Sequence, residues 1–246
     1  MAQMTLKAAV ALSKSPKSKC PFGCGKAPHK FESKKQSEDT KIESIPSQLG
    51  DLPINGVAPG KWGRARHHII PAKQCFAIVR RLARMAMAVG YDINNSENGI
   101  GLPTVNNPYT YNGVTKNFGE FTDPKIKEDI AFDVMDNTGK QWHVGNHSYK
   151  IKSKEPEEPE KMKDEGKLPH LPYDLEVIDR LIREMSQWEE AKLCQKTKDD
   201  SDKYIKAMNA ISKEIRGKLD AFKKGGSEPF FVSAVAKDWK PKKYRK

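Results

Sequence analysis

The stretch Arg66-His67-His68-Ile69-Ile70-Pro71 constrains this chain more than any other six residues. Isoleucine is β-branched and fits a pleated surface, while proline removes a ladder donor, so Ile69-Ile70 reads as a strand that Pro71 ends. Neighbours on a strand point to opposite faces, and His67 and His68 therefore cannot serve one ligand in the same way. A neutral imidazole is both a common metal ligand and the commonest general base near neutral pH. Adjacent histidines can thus place a metal and a base on two sides of one bond, or they can be two ordinary half-buried side chains. The surrounding residues decide between these.

Charge narrows the partner first. The 246 residues carry a formal net charge of +12, and the isoelectric point is near 9.4, which favours a polyanion. No apolar run approaches the ~18 residues that a spanning helix needs, so nucleic acid is a better partner than a membrane. The mildly apolar residues 5–12 are interrupted by Lys7 and show no small-residue cleavage site, so no secretory signal is expected and synthesis in the cytoplasm is. With 37% hydrophobic residues and a mean hydropathy of -0.75, the chain should have a modest core and long solvated segments.

The four cysteines, at 20, 24, 75 and 194, do not form a small-domain disulfide framework, and reduced thiols are expected. Cys20, Cys24 and His29 place three soft ligands within ten residues, and Gly23 and Gly25 would let the backbone turn around an ion. A structural Zn²⁺ would need a fourth ligand, for which Cys75 and His170 are both open; unliganded loop cysteines are the other reading. Residues 13–63 are rich in Ser, Lys, Pro and Gly without a sustained period, which gives a basic arm over 1–63 with a possible zinc knuckle. Residues 1–70 hold twelve Lys and Arg against five Asp and Glu, about +7, so the arm could track phosphates or serve only as a solvated linker.

Between residues 72 and 89 the apolar positions Phe76, Val79, Leu82, Ala83, Ala86 and Val89 recur at helical spacing, and Gly90 supplies a stop. Arg80, Arg81 and Arg84 share the other side of that helix and, with Arg66, are the candidate nucleic-acid contacts, although ordinary solvation explains arginines as well. Asn94-Asn95-Ser96 turns the chain into a short strand over 99–102. Residues 103–140 read as loops, with turns at Asn106-Asn107-Pro108, Asn112-Gly113 and Asn137-Thr138-Gly139 and one short helix over 126–135. Asn146 can cap a helix carrying His147 in its first turn, where unpaired amides favour phosphate. His143 precedes it by four residues as a phosphate-contacting or supporting candidate.

Charged, proline-containing residues form a linker over 156–171. Two amphipathic stripes follow, Leu175, Ile178, Leu181, Ile182, Met185, Trp188 and Leu193, then Tyr204, Ile205, Met208, Ile211, Ile215, Leu219 and Phe222, ended by Gly225-Gly226. They predict a helical hairpin that buries both stripes, followed by a basic tail, over 172–246.

Ala65 with His67-His68-Ile69-Ile70-Pro71, then Asp92-Ile93-Asn94 leading to Glu97-Asn98-Gly99-Ile100-Gly101-Leu102-Pro103, then His143-Val144-Gly145-Asn146-His147-Ser148-Tyr149, resembles the AHH branch of the His-Me finger (HNH/endonuclease VII) nucleases. The resemblance covers a core over 64–155 and implies an α+β fold with a ββα-metal centre, flanked by the basic arm and the helical hairpin. It implies His68 as general base, Asn98 as the residue orienting it, His67 and His147 as ligands of one divalent ion, and His143 as a further catalytic candidate. His67 stands where many relatives have aspartate, which leaves Mg²⁺, Mn²⁺, Ni²⁺ and Zn²⁺ all open. The resemblance further implies a metal-dependent endonuclease, a non-specific DNase used as an antibacterial toxin. Such a toxin would be made in the bacterial cytoplasm, delivered by a type VI or similar secretion system into the target cytoplasm, and blocked by an acidic immunity protein. The competing expectation is a non-catalytic, zinc-stabilised nucleic-acid-binding module.

Overall fold

A computed structural model describes residues 20–22, 24, 26, 62–105, 108–143, 172–190 and 198–245. Among the described residues the fold is of mixed α+β class, with two two-stranded sheets and several helices. The chain divides into two compact units, and the division falls at the peptide bond between His67 and His68. One unit contains 68–100 and 174–216 with the described N-terminal residues; the other contains 62–67, 101–105, 108–143, 172–173 and 217–245.

The strand expected to run through Ile69-Ile70 ends two residues earlier, at His68. Strand β1 is Trp62–His68, and the two isoleucines lie fully buried in the bend that follows. The physical reason is Asn98. Ile69 N–H donates to the Asn98 carbonyl at 2.8 Å and Ile70 N–H to Asn98 Oδ1 at 2.7 Å, so the backbone is satisfied without a ladder partner.

The single helix expected over 72–89 is broken in two. Residues Ala72–Phe76 make a π-type turn, and helix α1 begins only at Arg80 and runs to Ala88. Ala77 N–H bonds back five residues to Ala72 and Ile78 N–H only three to Cys75, so the ladder slips register before α1 starts. Gly90, at φ 88°, ends α1 as expected, with Tyr91 N–H closing on the Ala86 carbonyl at 2.9 Å.

The two long helices appear where the stripes predict them: α3 is Pro172–Glu190 and α4 is Lys198–Asp220, and α2 (Pro124–Thr138) precedes them in the chain. Within the first unit Ile178, Leu181, Ile182, Met185 and Trp188 of α3 and Met208, Ile211 and Ile215 of α4 are buried, Leu175, Tyr204 and Ile205 are half-buried, and the Trp188 ring meets Tyr204 edge-on at 4.7 Å; Leu193 lies outside the described residues. Arg180 on α3 reaches Glu214 on α4 at 2.9 Å. Helix α1 adds Leu82, Met85 and Ala86 to the buried set.

Strand β2 is Gly99–Val105, its residues 101–105 in the second unit, and it pairs with β1. Residues read as turns alone contain a hairpin, β3 (Tyr109–Tyr111) and β4 (Val114–Lys116), in antiparallel register Tyr109 to Lys116. Three-residue strands are too short to show alternation, but Asn112-Gly113, at φ 47° and 79°, is the two-residue turn such a hairpin needs. Asp123 caps α2 on Lys125 N–H at 2.8 Å, and Gly139 at φ 66° ends it. Trp62, Tyr109, Phe118, Val134, Trp142 and Phe222 belong to one core, to which α5 (Ala234–Asp238) adds Val235 and Ala236. Among the described residues no helix is long and apolar enough to cross a membrane.

Candidate active site

His68 is half-buried at the end of β1, and its Nε2 lies 3.0 Å from Asn94 Oδ1. An amide oxygen only accepts, so Nε2 is the donor, and the neutral form of this ring keeps its lone pair on Nδ1. Asn94 is set by the turn before it, where its own N–H donates to Asp92 Oδ1 at 2.8 Å.

Asn98 acts on the two backbone segments that carry the contact. Its Nδ2 donates to the Ile70 carbonyl at 3.2 Å, two residues after His68, and to the Ile93 carbonyl at 2.9 Å, one residue before Asn94. Its Oδ1 accepts from Ile70 N–H at 2.7 Å and from the Ser212 hydroxyl at 3.0 Å. With two donors and two acceptors satisfied at zero exposure, Asn98 holds His68 and Asn94 in register.

His67 lies in the second unit and is 4% exposed. Its Nδ1 is 3.2 Å from His143 Nε2, and its Nε2 is 3.3 Å from the Tyr173 hydroxyl. The rings of His67 and His143 meet at 61° with centroids 4.8 Å apart. His143 is placed by its own N–H on the Pro103 carbonyl of β2 at 2.9 Å. Just before it, the Gln141 amide bridges Phe230 O and Val232 N–H, each at 2.8 Å, and Ser233 Oγ donates to Trp142 O at 3.1 Å. Tyr173 stands edge-on to Phe230 at 5.3 Å.

Two imidazole nitrogens bound to one tetrahedral ion at 2.0–2.1 Å would lie about 3.3 Å apart, close to the His67–His143 spacing. The spacing suits two ligands of one ion, and it suits equally a direct N–H···N hydrogen bond between the two rings. Among the described residues no group of three or more His, Cys, Asp and Glu converges on one point. His147 lies outside the described residues, as do His29 and the helix expected after Asn146. Cys20 is buried and Cys24 exposed, with Cys20 N–H closing on the Lys26 carbonyl at 2.9 Å.

The arginines are used unequally. Arg66 and Arg80 are exposed and Arg84 half-buried. Arg81 pairs with Glu189 at 2.5 Å and donates through Nε to the Pro21 carbonyl at 2.8 Å, which ties it into the unit's own structure.

Sequence reading assigned no role to Asn94, Tyr173 or Ser212. Asn94 stood in the turn and among the residues of the resemblance, without a contact to His68, and nothing local links His67 to a tyrosine 106 residues away.

Comparison of the chain with protein-family models, curated proteins and solved structures gives no match.

Proposed function

We propose that the chain is a metal-dependent endonuclease that hydrolyses phosphodiester bonds, with His68 as general base. The observation carrying this reading is the His68 ring, anchored at Nε2 by Asn94 and left with an Nδ1 lone pair to accept a proton. His68 Nδ1 removes a proton from water, the water oxygen bonds to phosphorus, and the bond from phosphorus to the 3′ oxygen breaks. Asn98 keeps the base in place through Ile70 and Ile93. His67 with His143 or His147 would hold one divalent ion, which supplies charge stabilisation for the phosphorane and the departing oxygen. Arg66, Arg80 and Arg84 and the net charge of +12 favour a nucleic-acid substrate, DNA first.

The ββα-metal centre and the toxin role belong to the same proposal and rest on the resemblance over residues 64–155. In that role the chain is made in a bacterial cytoplasm, delivered by a type VI or similar secretion system, and neutralised in the producer by an acidic immunity protein. Opposite potentials would speed that capture. A structural Zn²⁺ on Cys20, Cys24 and His29 completes the proposal; Cys20→Ser/Cys24→Ser should then lose about one zinc per chain by elemental analysis.

One observation favours a non-catalytic nucleic-acid-binding module instead: both ring nitrogens of His67 already face protein partners, His143 and Tyr173. Plasmid nicking separates the two readings. The nuclease is inactive in EDTA and recovers with more than one of Mg²⁺, Mn²⁺, Ni²⁺ and Zn²⁺, since an imidazole-rich set tolerates several ions. The binding module shifts plasmid mobility and leaves it intact under every ion.

A further inference from the structure

Helix α4 lies outside the region of resemblance, yet it reaches the loop that orders His68. Ser212, at zero exposure, donates its hydroxyl to Asn98 Oδ1 at 3.0 Å. One turn later, Arg216 Nη2 lies 3.1, 3.2 and 2.6 Å from the carbonyls of Ser96, Glu97 and Gly99. These carbonyls surround the short 3₁₀ turn Ser96–Asn98, whose last residue is the asparagine itself. Residues four apart share a helix face, so α4 presents a hydroxyl and a guanidinium together to one loop.

The two contacts do different things. Without Ser212, Asn98 Oδ1 loses one of its two donors and its amide is held from three sides instead of four. Without Arg216, the carbonyl end of the 3₁₀ turn loses a charged donor, which binds more strongly than a neutral one. Either loss loosens Asn98, and Asn98 is what keeps the segments of His68 and Asn94 together.

We propose that Ser212 and Arg216 are positioning residues for His68, so that helix α4 is part of the hydrolytic machinery and not only a packing element. The proposal rests on the nuclease reading, and its test includes a readout that does not need cleavage. In the full-length chain, Ser212→Ala and Arg216→Met should lower kcat by about tenfold to a hundredfold, the scale of a small misplacement of a reacting group, with KM within about twofold. Ser212→Thr and Arg216→Lys, which keep a hydroxyl and a cationic donor, should recover most of the rate. Nitrogen-15 spectra of the His68 ring should show a single Nε2–H tautomer in the wild type and a mixture in Ser212→Ala and Arg216→Met. Arg216 is partly exposed, so Arg216→Met keeps the experiment informative even where Ser212→Ala does not fold. Lower melting temperatures with wild-type kcat and an unchanged ring spectrum would overturn the proposal. If no ion supports cleavage, the nuclease reading fails and the ring spectrum decides alone: a changed tautomer supports positioning by α4, and an unchanged one refutes it.

Discussion

The side-chain amide of Asn98 grips both polar backbone groups of Ile70, accepting from its N–H at 2.7 Å and donating to its carbonyl at 3.2 Å. It stands where a neighbouring strand would stand, and this lets β1 stop at His68 while the two isoleucines still enter the core. One residue thereby serves the fold and the geometry of the candidate base.

Asn98→Ala should therefore be costly. It leaves Ile70 N–H, two carbonyls and the Ser212 hydroxyl short of a partner in a buried place, at about 1–3 kcal/mol for each group left unsatisfied. A loss of at least about 3 kcal/mol in urea unfolding is expected. A loss below about 1 kcal/mol would mean that water replaces the amide and that Asn98 is no anchor.

Thiol reactivity should follow burial. Cys75 is fully buried, and burial first, then the nearby Asp174, pushes its thiol well above the usual range; its Sγ lies 3.6 Å from Asp174 Oδ1. Cys24 is exposed. Mild alkylation of the folded chain in EDTA, which strips any zinc from the thiols, should label Cys24 and spare Cys75 until denaturant is added, because the thiolate is the reacting species. Mass spectrometry showing early labelling of Cys75 would contradict the packing of α3 against it.

Much of this was readable beforehand, and the exceptions have physical causes. Helices α3 and α4 announced themselves because each carries a long apolar stripe, and Gly90, Asn112-Gly113 and Gly139 each sit at positive φ where a stop or turn was read. Ile69-Ile70 misled because β-branching reports only a preference for a pleated surface, and the competing partner was a side chain 28 residues away. The 72–89 helix misled because apolar spacing is blind to a register slip at Ile78. Within the site, His68 and Asn98 were legible as residue types. The contacts to Asn94 and Ser212 were not, since a polar residue in a turn or on a buried helix face has many ordinary uses.

Alkaline pH should weaken the second unit. Tyr109 donates to Asp133 at 2.9 Å and Tyr111 to Asp129 at 3.1 Å; burial first, then the aspartates, raises both phenols above their usual value of about 10. A raised acid holds its proton more tightly when folded. Its contribution is complete below the unfolded value and is lost as pH rises past about 10, at up to about 1.4 kcal/mol per pH unit for each group. Denaturant unfolding between pH 9 and 11 should show this decline, and Tyr109→Phe/Tyr111→Phe should flatten it. An equal decline in the double variant would assign it elsewhere.

Salt dependence should sort the arginines of α1. Arg80 is exposed, and on the nuclease reading it meets phosphate, so Arg80→Ala should reduce the slope of log affinity against log salt by about 1. Arg81 is occupied by Glu189 and the Pro21 carbonyl, so Arg81→Ala should leave the slope unchanged and instead lower stability. Identical slope changes in both variants would mean that Arg81 leaves its protein partners when DNA binds.

The most direct test is plasmid cleavage by the wild-type chain and by His68→Ala, side by side, with a divalent ion present. The expected result is nicking and linearisation by the wild type, and a rate lower by about 10²–10⁴ for a His68→Ala protein that melts normally and still binds DNA. Equal cleavage by the two would remove His68 from the chemistry, and intact plasmid with both, under every ion tried, would contradict the nuclease assignment itself.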